Sequence, residues 1–122
     1  QSGQDKELAV TQRVQMYYNQ GLLAMVDATA QAAQAANLAT FAAAEERFRV
    51  SIAAYEKAQQ VFDNLNVINP TLQKDLGKSY HGLGLLFHKQ ERMAEAVGYF
   101  QTACSLKAEE SCDWLKKHGQ GR

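Results

Sequence analysis

Proline is almost missing from this sequence, since Pro70 is the only one in 122 residues. Stretches in which β-branched and polar residues alternate, the usual sign of strands, are also scarce. Alanine, glutamine, glutamate and lysine, which favour helices, are frequent instead. Together these features predict an all-α fold.

Net charge is absent as well, because thirteen Lys and Arg residues balance thirteen Asp and Glu residues. A chain without net charge has no overall field to gather nucleic acid or an anionic membrane. No apolar run approaches the roughly 18 residues that a membrane-spanning helix needs. The chain begins at Gln1 without a basic segment followed by an apolar core. We therefore expect no nucleic-acid partner and no membrane insertion, and we expect that any export signal was removed or was never present.

The hydrophobic content of 46% is typical of a globular protein, and the length suits one domain covering residues 1–122. Apolar residues recur every three or four positions, which predicts amphipathic helices. The predicted elements are a first helix pair at 5–36 and 40–64, a second pair within 70–107, and a capping helix at 109–118.

Two breaks in the apolar pattern separate these helices. Residues 37–40 form the first predicted turn, with Thr40 as the expected N-cap of the second helix. The second break ends at Pro70, which suits the first turn of a third helix over 70–89. A fourth helix follows over 92–106. The tail, residues 119–122, is expected to be mobile.

Large and small apolar residues follow one another at fixed intervals between residues 80 and 103. Small side chains at Gly84 and Ala96 would let two antiparallel helices approach closely, while large ones fill the space beside them. The members of this pattern are Tyr80, Leu83, Gly84, Phe87, Ala96, Phe100 and Ala103, and Trp114 stands where the aromatic residue of a next unit would fall.

This spacing resembles the tetratricopeptide repeat, a unit of about 34 residues marked by Trp, Leu-Gly, Tyr, Ala, Phe and Pro. Tyr80 replaces the Trp, Phe87 replaces the Tyr, and Ala108 stands in place of the closing Pro. The resemblance covers residues 77–118. It implies antiparallel helix pairs stacked as a short right-handed solenoid, with a C-terminal helix that caps the last apolar face. It also implies that the protein binds other proteins.

The two cysteines, Cys104 and Cys112, lie at the end of one predicted helix and the start of the next. This arrangement resembles the cysteine-rich Sel-type repeat family, secreted proteins in which such a pair is a disulfide. The resemblance implies a Cys104–Cys112 bond and a periplasmic or secreted location, because such bonds persist in oxidising compartments. Two buried free thiols, or half of a metal site, are the alternatives that the residues leave open.

Residues with catalytic potential are few. His81 and His88 lie two turns apart on one predicted helix, about 10 Å, which is too far for both to bind one metal ion. No serine lies in a nucleophile elbow, and no Gly-rich loop follows a strand to hold phosphate. The acidic pair Glu109-Glu110 falls in a predicted first turn, where the helix dipole accounts for it. We expect no enzymatic activity, no metal and no cofactor.

One face of the third predicted helix is the best site for a partner, because in tetratricopeptide proteins the first helix of each pair lines the concave groove. The residues that share this face are Lys78, His81, Leu85, His88 and Lys89. Two cations, two titratable rings and an apolar side chain suit an extended or helical peptide with acidic residues. A solvated face that binds nothing is the alternative.

We therefore expect an interaction module or assembly scaffold that binds a peptide or protein in this groove. A homodimer through residues 8–30 is an alternative, because the first helix is long and apolar. A structural subunit of a larger complex is another. A small-ligand protein that uses Tyr17, Tyr18, His81 or His88 as polar groups in a bundle interior is a third.

Overall fold

The computed structural model describes the backbone of residues 2–118 and the side chains of residues 9–118. Five helices make up the fold, and no strand occurs among the described residues, which confirms the all-α prediction. The helices are α1 (Ser2–Gln34), α2 (Leu38–Asn64), α3 (Pro70–Lys89), α4 (Met93–Ser105) and α5 (Glu109–Lys117). The predicted tail at 119–122 lies outside the described residues.

The turn between α1 and α2 corrects one prediction, because Asn37 and not Thr40 is the N-cap of α2. The Asn37 side chain accepts a hydrogen bond from the Thr40 backbone N–H at 3.0 Å. The Thr40 hydroxyl oxygen accepts one in return from the Asn37 backbone N–H at 3.0 Å. This reciprocal capping box starts the helix earlier than predicted, and α1 ends at Gln34 rather than at residue 36.

The turn between α2 and α3 agrees with the prediction. Pro70 is the first residue of α3, where its missing N–H leaves no helical hydrogen bond unmade. The Asn69 side chain accepts a hydrogen bond from the Leu72 backbone N–H at 3.0 Å and so caps the helix. Asn66 takes a left-handed backbone conformation, with φ of 56°, and this reverses the chain before Asn69.

Each helix packs against the next one in the chain, and α1 also contacts α3. Contacts along α1 and α2 run in opposite directions, since Asp27 meets Arg47 whereas Tyr17 meets Lys57. The two helices are therefore antiparallel. The α1 residues that recur at alternating intervals of four and three on the side facing these neighbours are buried or half-buried, and they include Val14, Tyr17, Gly21, Ala24 and Ala28.

Three glycines make room for aromatic rings at the helix contacts. A Cβ atom built on Gly84 would lie 2.6 Å from Cε1 of Phe100, so only glycine fits beside this buried ring. The sequence pattern predicts that Gly84 lets two helices approach closely. In the structure, the ring of Phe100 occupies the space beside Gly84. The three pairs are Gly21 with Tyr55, Gly82 with Phe48, and Gly84 with Phe100.

The residues of the repeat pattern form much of the α3–α4 core. Those that are fully buried are Leu83, Gly84, Phe87, Ala96, Phe100 and Ala103, while Tyr80 and Trp114 are half-buried beside them. A disulfide joins Cys104 at the end of α4 to Cys112 in α5. This bond sets aside the alternatives of free thiols and of a cysteine metal site.

Candidate partner-binding groove

A groove of about 530 Å³ lies between α1, α3 and α5, with one aromatic ring from α2 in its wall. The three helices that flank it are alternate helices of the chain. Its lining consists of Met25, Thr29, Ala32, Ala33, Phe48, Lys78, His81, Gly82, Leu85, Leu86, Lys89 and Glu110.

Helical spacing explains which side chains reach the groove. Positions 78, 82, 85 and 89 recur at intervals of three or four residues on one face of α3, and position 81 lies beside 82. Positions 25, 29 and 32 have the same spacing on α1. Gly82 has no side chain, and the ring of Phe48 from α2 occupies the space where a Cβ atom would stand. This close approach brings an aromatic surface into the groove wall.

Lys78 and Leu85 are two exposed α3 side chains that line the groove. Lys78 is exposed, and it makes no hydrogen bond or ion pair with the side chains that the structure describes. Leu85 is 46% exposed although it is apolar. A cation and an apolar side chain therefore lie two helical turns apart on the same wall.

Lys89 lines the groove and also forms hydrogen bonds with α1. Its ammonium group donates hydrogen bonds to the backbone carbonyls of Ala32 at 3.0 Å and Ala33 at 3.3 Å. These carbonyls belong to the last turn of α1, where the helix dipole favours a cation. Lys89 thereby ties the end of α3 to the end of α1 and closes one end of the groove.

His81 lies on the groove wall against α4 and α5. Its Nδ1 atom is 2.6 Å from the hydroxyl oxygen of Ser111, which is fully buried, and its ring centre is 5.3 Å from that of Phe100. Burial lowers the pKa of His81 from its usual value of 6.5, and the carboxylate of Glu110 opposes that effect in part. The imidazole is therefore neutral at neutral pH.

His88 does not line the groove. The sequence predicts it on the same α3 face as Lys78, His81, Leu85 and Lys89, and the structure corrects this prediction. The His88 ring packs edge-on against Trp114 at 5.4 Å between centres and against His118 at 5.9 Å. The reason is its position at the margin of the α3 face, where α5 covers it. Trp114 in turn stacks on Phe100 at 4.0 Å, so His88 belongs to the aromatic contact that holds α5.

The structure also identifies lining residues that the sequence analysis missed. Met25, Thr29 and Ala32 come from α1, and Glu110 comes from the first turn of α5. Their membership depends on α1 lying beside α3, a contact between residues far apart in sequence. The apolar periodicity of α1 was visible, but it does not state which helix lies next to it.

A second polar cluster lies apart from the groove. The Tyr18 hydroxyl donates a hydrogen bond of 2.6 Å to Asp75, and this bond with burial raises the pKa of Tyr18. The Tyr18 ring also packs on the buried Tyr55 at 5.6 Å between centres, and burial raises the pKa of Tyr55 strongly. Tyr17 contacts Lys57 instead. The four polar groups considered for a small-ligand site therefore do not meet in one cavity.

No cluster of three or more His, Cys, Asp or Glu side chains suited to a metal ion occurs within the described part of the chain. None of the helices, over the residues described, combines the length and the apolar character required to cross a membrane.

Comparisons of the chain with protein-family models, with curated proteins and with solved structures find no match. We therefore infer the function from the geometry and chemistry of the groove.

Proposed function

We propose that this protein is an interaction module whose groove binds a peptide carrying an acidic residue close to a large apolar one. The observation that carries the proposal is the position of Lys78, a cation without an acidic partner among the described residues, on the wall of a groove with exposed apolar surface. Alternate helices α1, α3 and α5 flank this groove. That pattern agrees with the tetratricopeptide resemblance, in which the first helix of each pair faces the ligand.

The apolar part of the groove favours a large side chain in the ligand. Met25 from α1 and Leu85 from α3 line the groove and keep accessible apolar surface, while Phe48 and Leu86 lie buried in its wall. Removing such surface from water contributes roughly 25 cal/mol for each Å² buried. A leucine or an aromatic residue of a peptide would therefore supply most of the binding free energy.

The charged groups favour an acidic residue beside it. The groove contains the ammonium groups of Lys78 and Lys89 and the carboxylate of Glu110. Lys89 already binds α1 carbonyls, so Lys78 is the group best placed to pair with a ligand carboxylate. A neutral His81 offers a further hydrogen bond without adding like charge.

The disulfide supports a proposed periplasmic or extracellular setting for this binding. Bonds of this kind form and persist in oxidising compartments and are rare in a reducing cytosol. The pair joins α5, which supplies one wall of the groove, to α4. The short right-handed solenoid implied by the tetratricopeptide resemblance remains part of the proposal.

A selection experiment tests the proposed ligand. The oxidised protein would be used to select from a phage-displayed library of random peptides, and binding of the enriched peptides would be measured by fluorescence anisotropy. We expect peptides with Asp or Glu near Leu, Phe or Trp. Lys78→Glu and Leu85→Glu should each weaken binding by about tenfold or more, because they reverse the charge and remove the apolar contact.

Lys74→Glu is the matched control, since Lys74 lies one turn earlier on α3, is exposed and does not line the groove. The proposal would be contradicted if Lys78→Glu and Leu85→Glu weaken peptide binding no more than Lys74→Glu does. Enrichment of basic peptides, or of none, would contradict it too.

A further inference from the structure

The helix α1 has a second regular stripe on the side away from α2 and α3. These residues recur at alternating intervals of four and three, and we call them the outer seam: Gln12, Met16, Asn19, Leu23, Val26 and Ala30. All six are exposed, and Leu23 and Val26 are 70% and 59% exposed. This is the spacing of the a and d positions in a coiled coil, where side chains of two helices interlock.

Charge is nearly missing around the outer seam. Arg13 and Asp27 are the only charged residues between positions 9 and 33. An exposed helix face in solution normally carries mixed charges that keep it solvated. A face of Gln, Met, Asn, Leu, Val and Ala over nearly three heptads is instead suited to another uncharged, largely apolar helix face.

We propose that the outer seam binds the outer seam of a second copy of this chain, with the two α1 helices antiparallel. In this register Met16 lies opposite Val26 of the second copy, and Asn19 lies opposite Leu23 of the second copy. The Asn19 side chain already accepts a hydrogen bond from Gln15 at 3.0 Å, which reduces the cost of covering it. Each contact occurs twice because the arrangement has two-fold symmetry. Because α2 already packs against α1, the α1 helix is formed before the two copies meet. Dimerisation therefore does not have to offset the free energy of helix formation.

Charge complementarity selects this orientation. The antiparallel register sets Arg13 beside Asp27 of the second copy at both ends of the seam, where flanking charges determine the orientation of helix pairs. Asp27 binds Arg47 at 2.9 Å and Gln31 at 3.1 Å, and both bonds use its Oδ2 atom. Its Oδ1 atom makes no hydrogen bond with the described residues. A parallel pair would set Asp27 beside the apolar Leu22 instead.

Sedimentation equilibrium measures the association. We expect the wild-type protein to form a dimer in the micromolar range, and we expect Leu23→Glu to raise its Kd by about tenfold or more, because a carboxylate would be buried against an apolar face. Leu38→Glu is the matched control, because Leu38 is 85% exposed at the start of α2 and lies off the outer seam. Circular dichroism would show that both variants remain helical.

A wild-type protein that stays monomeric at 0.1 mM or above, on the order of ten times the expected Kd, would overturn the proposal. The proposal would also be overturned if Leu23→Glu weakens the dimer no more than Leu38→Glu does. These outcomes do not bear on the groove, whose ligand binding is measured separately with peptides.

Cross-linking and charge reversal test the orientation. In the antiparallel dimer, Gln20→Cys lies near its own copy across the two-fold axis, and a short bismaleimide should join the two chains. Ala30→Cys should not cross-link, since its two copies would be separated by about 27 Å along the helix. Cross-linking of Ala30→Cys alone would show a parallel pair and reject the antiparallel register. Arg13→Glu should raise the Kd about threefold to tenfold, and Arg13→Lys should not.

Discussion

The side chain of Phe100 shows how a single glycine can determine a helix contact. Its ring is fully buried and fills the space over Gly84, where a Cβ atom would come within 2.6 Å of Cε1. The ring cannot move away because Trp114 stacks on it at 4.0 Å. The glycine is therefore required by packing, although glycine lowers helix propensity.

A pair of glycine substitutions measures this effect. Gly84→Ala should lower the free energy of unfolding by about 1–3 kcal/mol, because it overpacks a filled site. Gly98→Ala should raise it by about 0.5–1 kcal/mol, because Gly98 is in the same kind of helical backbone with nothing within 4 Å of its added Cβ. Urea denaturation of both variants checks the prediction, which fails if the two substitutions have the same sign.

The titration of His81 provides a prediction about pH. Burial lowers its pKa in the folded protein below the value of 6.5 that applies when the chain is unfolded. The unfolded state therefore binds more protons in the interval between the two pKa values. Stability should be fully present above pH 6.5 and should decrease as the pH falls from there through the folded pKa. Lys78, Lys89 and Glu110 are the charged groups that line the groove together with this ring.

Two measurements check the effect of His81. Its imidazole signals in NMR should titrate below pH 6.5, and the Tm should fall less on acidification in His81→Gln than in the wild-type protein. His118→Gln is a suitable comparison, since His118 is exposed. Equal acid sensitivity of the wild-type protein and His81→Gln would show that another group dominates.

At the scale of single elements, α5 depends on contacts outside itself. It has nine residues, too few for a stable isolated helix, and no side chain caps its N-terminus. Trp114 packs on Phe100, and the disulfide joins Cys112 to the end of α4. These contacts hold the helix that supplies Glu110 and Ser111 to the groove region.

Removal of the disulfide should loosen α5 most. The double substitution Cys104→Ser and Cys112→Ser should lower the free energy of unfolding by about 2.5 kcal/mol, the loop-closure value for a loop of about nine residues. Hydrogen exchange should speed up in α5 and the end of α4 while α1 and α2 stay protected. A reducing agent should reproduce the change in the wild-type protein and leave the variant unaffected. Unchanged exchange in α5 would contradict this account.

The element scale is also where the sequence is most informative. Helical periodicity and turn chemistry predicted all five helices, and Pro70 placed the start of α3 correctly. The start of α2 was misplaced because Asn37 and Thr40 are both good capping residues. Only the reciprocal bonds between them show that Asn37 is the cap.

For the whole molecule, the candidate site combines predictable and unpredictable parts. The α3 spacing placed Lys78, His81, Leu85 and Lys89 on one face, and the structure brings these four into the groove lining. The contribution of α1 could not be read from local patterns, because it depends on long-range packing. His88 was misplaced for the same reason, since the position of α5 decides which edge of α3 is covered.

The groove and the outer seam use different sides of α1, so the two proposed interactions are compatible. Met25 and Thr29 face the groove, whereas Leu23 and Val26 are exposed on the outer seam. An antiparallel dimer would carry two identical grooves. A ligand with two acidic motifs joined by a suitable linker would then bind more tightly than one with a single motif.

The short chain segment closed by the disulfide has a further consequence. Glu110 and Ser111 both lie within the loop that Cys104 and Cys112 close, and both act on His81. A ligand that binds this wall more tightly when the disulfide is formed would make the disulfide harder to reduce. The disulfide would in turn increase the affinity of the protein for that ligand. Because such coupling is reciprocal, reduction of the disulfide would weaken binding of the proposed ligand.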